Sequence, residues 1–247
     1  MKAIILAAGE GKRMRPHTDD RPKAMIPVAG KPLLKRTLEI LQHLGITDIS
    51  VVTGYHPETI NYPSIKKYFN AQFDHTNMVV SLFCAEEEFN DDMVIIYGDI
   101  LFSEEMLAAL LADDADVAVA VDKAWRKQWE KRMENPLNDA ETMKINKEGD
   151  ITELGKKPKN FSEIEGQYVG LIKISKLAAA KIKSFYGSLD RQVLYNGRTF
   201  DLMHMTDFLQ LIIDRLMPVK AAYIHGGWFE IDTPSDLQLA HNLPFLL

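Results

Sequence analysis

One cysteine in 247 residues, Cys84, leaves this chain unable to close an internal disulfide or to build a zinc site from four cysteines. A reducing, cytoplasmic setting is the economical expectation. Long apolar runs are missing as well. Nothing approaches the ~20 residues of a membrane-spanning helix, and residues 3–8 are too short a run for a signal peptide. Excess positive charge is also missing. The formal net charge of −6 argues against a general nucleic-acid or anionic-membrane binder, so a phosphate site must be a local positive patch on an acidic body. The sequence has no internal repeat and no low-complexity segment. It does have 46% apolar residues, enough for a sizeable core, in a length that suits one large domain or two small ones.

Residues 1–23 organise the rest. Lys2-Ala3-Ile4-Ile5-Leu6-Ala7 reads as a buried strand that breaks into Ala8-Gly9-Glu10-Gly11-Lys12-Arg13-Met14, a glycine turn carrying cations, and Arg21-Pro22-Lys23 follows. A triphosphate needs this arrangement. Glycines let backbone N–H groups approach phosphate oxygens, and fixed cations neutralise charge that neutral donors alone cannot hold. Two familiar glycine loops do not fit. The dinucleotide fingerprint needs a third glycine, where Met14 stands, and an acid at the end of the next strand, where Thr53-Gly54-Tyr55 stands. The Walker loop needs a longer gap between its glycines than the single residue separating Gly9 from Gly11, and a Ser or Thr where Arg13 follows Lys12.

Periodicity predicts an α/β chain. Residues 32–44 carry Leu34, Leu38, Leu41 and Leu44 at helical spacing, with Pro32 suited to the first turn and Gly45 to the stop. Residues 49–53 read as the second strand of a right-handed parallel unit. Ligands in such sheets lie at the carboxyl ends of the strands, which puts Ala8, Gly9, Gly54 and Tyr55 at one edge, the nucleotide base resting near the last two. Thr76 or Asn77 caps a helix running to about residue 88, and a cap alone would account for either. Residues 93–97 form a central strand ending in Gly98-Asp99. A carboxylate there points into the ligand crevice, where Mg²⁺ on a triphosphate needs a hard oxygen ligand.

Ser103 caps a helix over 104–111, and 116–121 is a strand. Residues 123–165 change character, with Trp125 and Trp129 on one helical face, a loop at 135–139 and a hairpin pairing 142–146 with 151–154. This section reads as a lid on a single domain spanning 1–247. Residues 166–174, which include Tyr168, are a strand, 176–185 and 205–216 are helices, and 221–224 is a strand leading to Trp228-Phe229-Glu230-Ile231-Asp232. Thr233, Pro234 and Asp236 start the last helix, which leaves Asp232 just before its cap as the natural partner of Asp99.

With these landmarks in view, Leu6-Ala7-Ala8-Gly9-Glu10-Gly11-Lys12-Arg13, Arg21-Pro22-Lys23, Gly98-Asp99 and Glu230-Ile231-Asp232-Thr233 resemble the core of the nucleotidyltransferase family. The resemblance implies a Rossmann-like, doubly wound mixed sheet of the α/β class, GT-A-like, with a small α+β lid. Thr76-Asn77-Met78-Val79-Val80-Ser81-Leu82, the tract 125–142, Gly166-Gln167-Tyr168-Val169-Gly170-Leu171 and Gly227-Trp228-Phe229-Glu230-Ile231-Asp232 are similar to a narrower group. That group comprises the phosphocholine cytidylyltransferases and relatives acting on phosphonates such as 2-aminoethylphosphonate.

The narrower resemblance implies CTP as donor, Mg²⁺ as cofactor and a CDP- or CMP-linked product. It implies that Leu6, Ala7, Ala8, Gly9, Gly11, Gly54, Tyr55, Thr76, Asn77 and Gly98 surround the nucleotide and that Arg13 and Lys23 hold its phosphates. Asp99 and Asp232 would ligate the metal. Trp125, Trp129, Tyr168, Trp228 and Glu230 would face the acceptor, although large aromatics equally pack cores. One departure bears on the acceptor: the group often has an acid just before Met-Thr, where this chain has His204-Met205-Thr206. Other readings are a sugar-1-phosphate nucleotidyltransferase, many of which carry a β-helix repeat that this sequence lacks, a catalytically silent nucleotide-binding regulator, or a glycosyltransferase. The last would show an Asp-x-Asp pair, and Asp99-Ile100-Leu101 lacks the second acid. A homodimer is compatible with the sequence; nucleic acid and membrane insertion are not expected.

Overall fold

The computed structural model describes residues 1–246. Along the chain come β1 (Lys2–Ala7), a short hairpin of β2 (Pro27–Val28) and β3 (Lys31–Pro32), then α1 (Leu33–His43), β4 (Asp48–Thr53) and β5 (Ile65–Phe69). Next are α2 (Met78–Phe83), β6 (Met93–Tyr97), β7 (Ile100–Phe102), α3 (Glu104–Leu111), β8 (Val117–Asp122) and α4 (Arg126–Arg132). The hairpin β9 (Met143–Ile145) and β10 (Ile151–Leu154) follows, then β11 (Gln167–Ile174) and α5 (Lys176–Ser188). The chain closes with α6 (Met205–Arg215), β12 (Lys220–Ile224), β13 (Trp228–Glu230) and α7 (Pro234–Ala240).

Seven strands form the main sheet in the order β12-β8-β11-β6-β1-β4-β5. β1 lies parallel to β4 and β6, β4 to β5, and β8 to β12, whereas β11 runs antiparallel to both its neighbours. The sheet is therefore mixed, with one reversed strand, and it belongs to the α/β class read from the sequence. β1 shows why these residues make a central strand. Alternate side chains point to opposite faces, so Ile4 and Leu6 join one core with Val79, Leu82, Ala178 and Phe208 of α2, α5 and α6. Ala3, Ile5 and Ala7 join the other with Leu34, Leu38, Leu41 and Leu107 of α1 and α3.

A third, smaller cluster positions the site. Met14, Ile26, Val28 and Leu33 from the N-terminal loop pack on Leu101, Phe229, Ile231 and Leu237. β13 pairs antiparallel with β7, Glu230 opposite Ile100, and the Ile231 N–H donates to the Asp99 carbonyl at 3.0 Å. The turn after β6 and the segment before α7 are thus one backbone unit.

The helix after residue 76 starts at Met78 under the Asn77 side chain, which accepts from the Met78 N–H, but it ends at Phe83 rather than near 88. Three elements escaped the sequence reading: β5, β7 and the β2–β3 hairpin. Residues 123–165 are knitted into the body. Trp125 and Trp129 are buried in the α1/α3-side core, and Met143, Ile151 and Leu154 in the opposite one. The Ile151 N–H donates to Val219 O at 2.8 Å, which ties the hairpin to the strand preceding β13.

Candidate active site

Lys23 lies in a single turn, Lys23–Met25, that follows an extended Pro22. Its Nζ sits 2.8 Å from Asp99 Oδ2 and also contacts Asp232 Oδ1. Arg13 reaches the same Asp232 oxygen at 3.1 Å. The sequence places Gly11 beside this lysine for a steric reason. Its φ of +67° is left-handed, and a Cβ there would stand 3.1 Å from Lys23 Cβ, so only glycine fits without displacing the ammonium.

A third cation comes from α4. Arg132, its side chain 3% exposed, donates from Nε to Asp236 Oδ1 at 2.9 Å and from Nη1 to Glu230 Oε2 at 3.2 Å, and lies 3.6 Å from Asp232 Oδ2. Asp99, Glu230 and Asp232 each bring a carboxylate oxygen to within 4.8 Å of the others. Burial alone would raise Asp232, but Lys23, Arg13 and Arg132 overcome it and hold its carboxyl low. Glu230 is pushed up by burial and then by the charges of Asp232 and Asp99. Burial would lower the Lys23 ammonium, yet Asp99 and Asp232 raise it on balance.

One atom of this cluster has no partner. Asp99 Oδ1 is buried and accepts no hydrogen bond. A stranded carboxylate oxygen is costly unless something binds it, and beside two further carboxylates it fits a divalent cation with a preference for hard oxygen ligands.

Three cavities converge here. The first, about 200 Å³, runs along Leu6, Ala7, Ala8, Gly9 and Gly11 to Lys23, Gly98 and Asp99, and on its far side reaches Phe73, Thr76, Asn77 and Ser81. A second, of about 320 Å³, lies over Gly11, Lys12, Arg13 and Lys23 and ends at Asp232. The third, about 360 Å³, starts at Arg13, Glu230 and Asp232 and extends past Tyr97, Tyr168, Trp129 and Trp228 to Glu141, Gln167, His204 and Thr206. The elongated slot, the cation-lined slot and the deeper chamber share Arg13, Lys23 and Asp232 as their common corner.

Most of the residues expected at the nucleotide do line these cavities, but two do not. Gly54 and Tyr55 lie beneath the first one. A Cβ on Gly54 would stand 2.6 Å from both Ala8 O and Phe73 Cβ, and the Tyr55 N–H donates to Ala8 O at 3.0 Å. They hold the floor of the loop, and Phe73 occupies the wall expected of them. Trp125 is a second correction. It is buried against Trp129 and Phe161 and supports the acceptor chamber without lining it. Trp129 and Trp228 do line it, their indole N–H groups donating to Asp139 and Asp122 at 3.0 and 2.9 Å. Glu230 lines it too, but its carboxylate belongs with the acidic cluster. Phe73, Ser81, Arg132 and Glu141 were not anticipated. Asn70, whose Nδ2 donates to Ser81 Oγ and Thr76 Oγ1, was a quiet signal that this loop is built rather than loose.

Residues 3–196 match the MobA-like NTP transferase domain, and the chain belongs to that family: it is a nucleotidyltransferase. Among characterised relatives it is similar to the CTP:phosphoglutamine cytidylyltransferase of Campylobacter jejuni, 42% identical over 250 residues that cover 97% of this chain and 98% of that one. A choline-phosphate cytidylyltransferase of Streptococcus pneumoniae is 40% identical over 106 residues, covering 41% of this chain and 46% of the relative. In fold, a solved structure of CTP:phosphocholine cytidylyltransferase from Streptococcus pneumoniae aligns over 97% of both chains with a TM-score of 0.69 at 21% identity.

Proposed function

We propose that this protein transfers CMP from CTP to a small phosphorylated acceptor of the amino-acid type, releasing pyrophosphate. The observation that carries the reading is Lys23 clamped between Asp99 and Asp232 at the corner where a nucleotide-sized slot, a cation-lined slot and a separate chamber meet. The full-length likeness to a phosphoglutamine enzyme supports the amino-acid type over phosphocholine, whose enzyme matches less than half of this chain. Residues 123–165, which supply Trp129 and Glu141 to the chamber, would form the acceptor-binding insertion.

In this scheme Arg13, Lys23 and the amides of the Gly9–Gly11 loop hold the β- and γ-phosphates of CTP. An oxygen of the acceptor's phosphoryl group attacks the α-phosphorus, a new P–O bond forms, and the bond to the β-phosphate oxygen breaks. The attacking oxygen is already anionic at neutral pH, so no side chain need remove a proton. Asp99 and Asp232, with Glu230 beside them, would hold Mg²⁺, which when bound neutralises charge on the phosphates as a Lewis acid. The protein's share is to align donor and acceptor and to keep cations where negative charge gathers.

Pyrophosphate release, followed with each of the four NTPs against side-chain-phosphorylated glutamine, phosphocholine, 2-aminoethylphosphonate and a sugar 1-phosphate, tests the reading. CTP with phosphorylated glutamine should give the highest kcat/KM. A preference for a sugar 1-phosphate, or no turnover with any pair, would overturn it.

A further inference from the structure

Buried carboxylates in this protein are answered by cations. Glu88 meets Lys2 and Lys66, Asp207 meets Arg198, Asp236 meets Arg132, and Asp232 meets Lys23. Asp122 has no cation but receives three N–H groups, from Ala124, Gly226 and Trp228. Glu141 has neither. Among the described residues a single donor reaches its carboxylate, Thr206 Oγ1 at 3.3 Å, and no Lys, Arg or His pairs with it.

Its place is nonetheless fixed. The Gln167 side chain clamps the Glu141 backbone, accepting from its N–H at 3.1 Å and donating to its carbonyl at 2.6 Å. The carboxylate lies in the acceptor chamber, at the end away from Asp232 and Glu230, with His204, Thr206 and Tyr168 around it. Burial pushes the Glu141 carboxyl up to about 7; Thr206 and Arg198 oppose this, and Asp207 and Asp139 add to it. Asp207 cannot serve the chamber, because it is taken by Asn196, Arg198 and the His204 N–H. Tyr168 adds a buried phenol oxygen with no hydrogen-bond partner. A half-satisfied carboxylate and an unpartnered hydroxyl, held rigidly at the blind end of a ligand chamber, form a receptor for a group that is positive and has hydrogens to donate.

We propose that Glu141 is the specificity-determining residue for the acceptor, the counter-ion of a primary ammonium at the end of the acceptor remote from its phosphoryl group. This rests on the cytidylyl-transfer reading above. It accounts for His204: the anion that related enzymes carry before Met-Thr is supplied here from the opposite wall. It also separates a primary amine from a quaternary one, because only the former can donate hydrogen bonds to Glu141 and Tyr168.

The test pairs one change in the protein with one in the substrate. Wild type and Glu141→Gln are assayed with CTP and side-chain-phosphorylated glutamine, then with the same acceptor after acetylation of its α-amine. With the free amine, Glu141→Gln should raise KM about 10- to 100-fold, the range for losing one charged hydrogen-bonded contact, with kcat nearly unchanged. Acetylation should cost the wild type a similar factor, and the two proteins should then differ by less than about 3-fold, since the interaction is already gone. Equal losses on both acceptors would mean a merely structural role, and no loss on either would mean no contact; either result overturns the proposal. If Glu141→Gln does not fold, Glu141→Asp must still favour the free amine, and indifference to acetylation would refute the assignment. Should no acceptor release pyrophosphate, the transfer reading fails on its own. Calorimetric titration of phosphorylated glutamine into wild type and Glu141→Gln then decides the subsite: binding lost in the variant supports it, and absence of binding to the wild type overturns it.

Discussion

The two ends of the acceptor chamber handle negative charge in opposite ways. At one end, Asp99, Glu230 and Asp232 are matched by Lys23, Arg13 and Arg132, and the remaining unmet valence is one oxygen of Asp99. At the other, Glu141 has one hydroxyl and no cation. The contrast teaches where each end expects its partner. The balanced end is ready for a ligand that brings its own anions and cations together, as a metal-chelated polyphosphate does. The unbalanced end is ready for a ligand that brings a bare positive charge.

The sharpest way to break the comparison is at the balanced end. Removing divalent cations with a chelator should abolish turnover, and adding back Mg²⁺ should restore it; full activity in excess chelator would detach the acidic cluster from metal binding. Lys23→Ala or Asp99→Asn should lower kcat by about 10²–10³, roughly 3–4 kcal/mol, as loss of a preorganised charge contact does. Both should keep the wild-type melting profile, and near wild-type turnover in either would remove that residue from the chemistry. Arg132→Met leaves Asp236 and Glu230 buried without their guanidinium, so it should cost on the order of 3 kcal/mol of stability, visible as a lowered Tm. An unchanged Tm would show that the arginine is dispensable to the balance.

The unbalanced end predicts an effect of pH with the opposite sense to an ordinary salt bridge. The native Glu141 carboxyl titrates near 7, against 4.5 when unfolded. Between those values the folded state holds a proton that the unfolded state has lost, so this group's contribution falls as pH rises through the window. Glu141→Gln should therefore raise Tm relative to wild type at pH 8 and change it little at pH 5. An equal shift at both values would mean that Glu141 is not held uncompensated. Smallest of all, Trp125→Phe should change acceptor KM by less than about 3-fold, because the ring packs behind the chamber rather than in it.

What could be read from the sequence follows the same division. Strand β1 and its glycine turn declare themselves because a central parallel strand needs a continuous apolar run and the loop needs residues of particular shape. The caps at Ser103 and Thr233 are local chemistry, visible within a few residues, and both are in place. β5 hides because it is an edge strand, where Lys66 and Lys67 interrupt the apolar pattern. The short helix after Asn77 was overextended because the acids of residues 86–88 do not break helical periodicity. Arg132 could not be foreseen, since its partners lie 98 and 104 residues away and nothing local marks it. Trp125 and Trp129 are indistinguishable by spacing, and only the packing decides which one meets the chamber. Glu141 escaped because a lone acid in a polar loop looks solvated until the fold buries it.

The contact between Lys23 and Asp232 joins positions 209 residues apart. A nascent chain can fold its first strands and shape the glycine turn early, yet it owns no anion trap until β13 has emerged and docked against β7. Half-made copies are therefore inert: they cannot sequester nucleotide or squander it, and competence arrives abruptly, in the closing moments of synthesis.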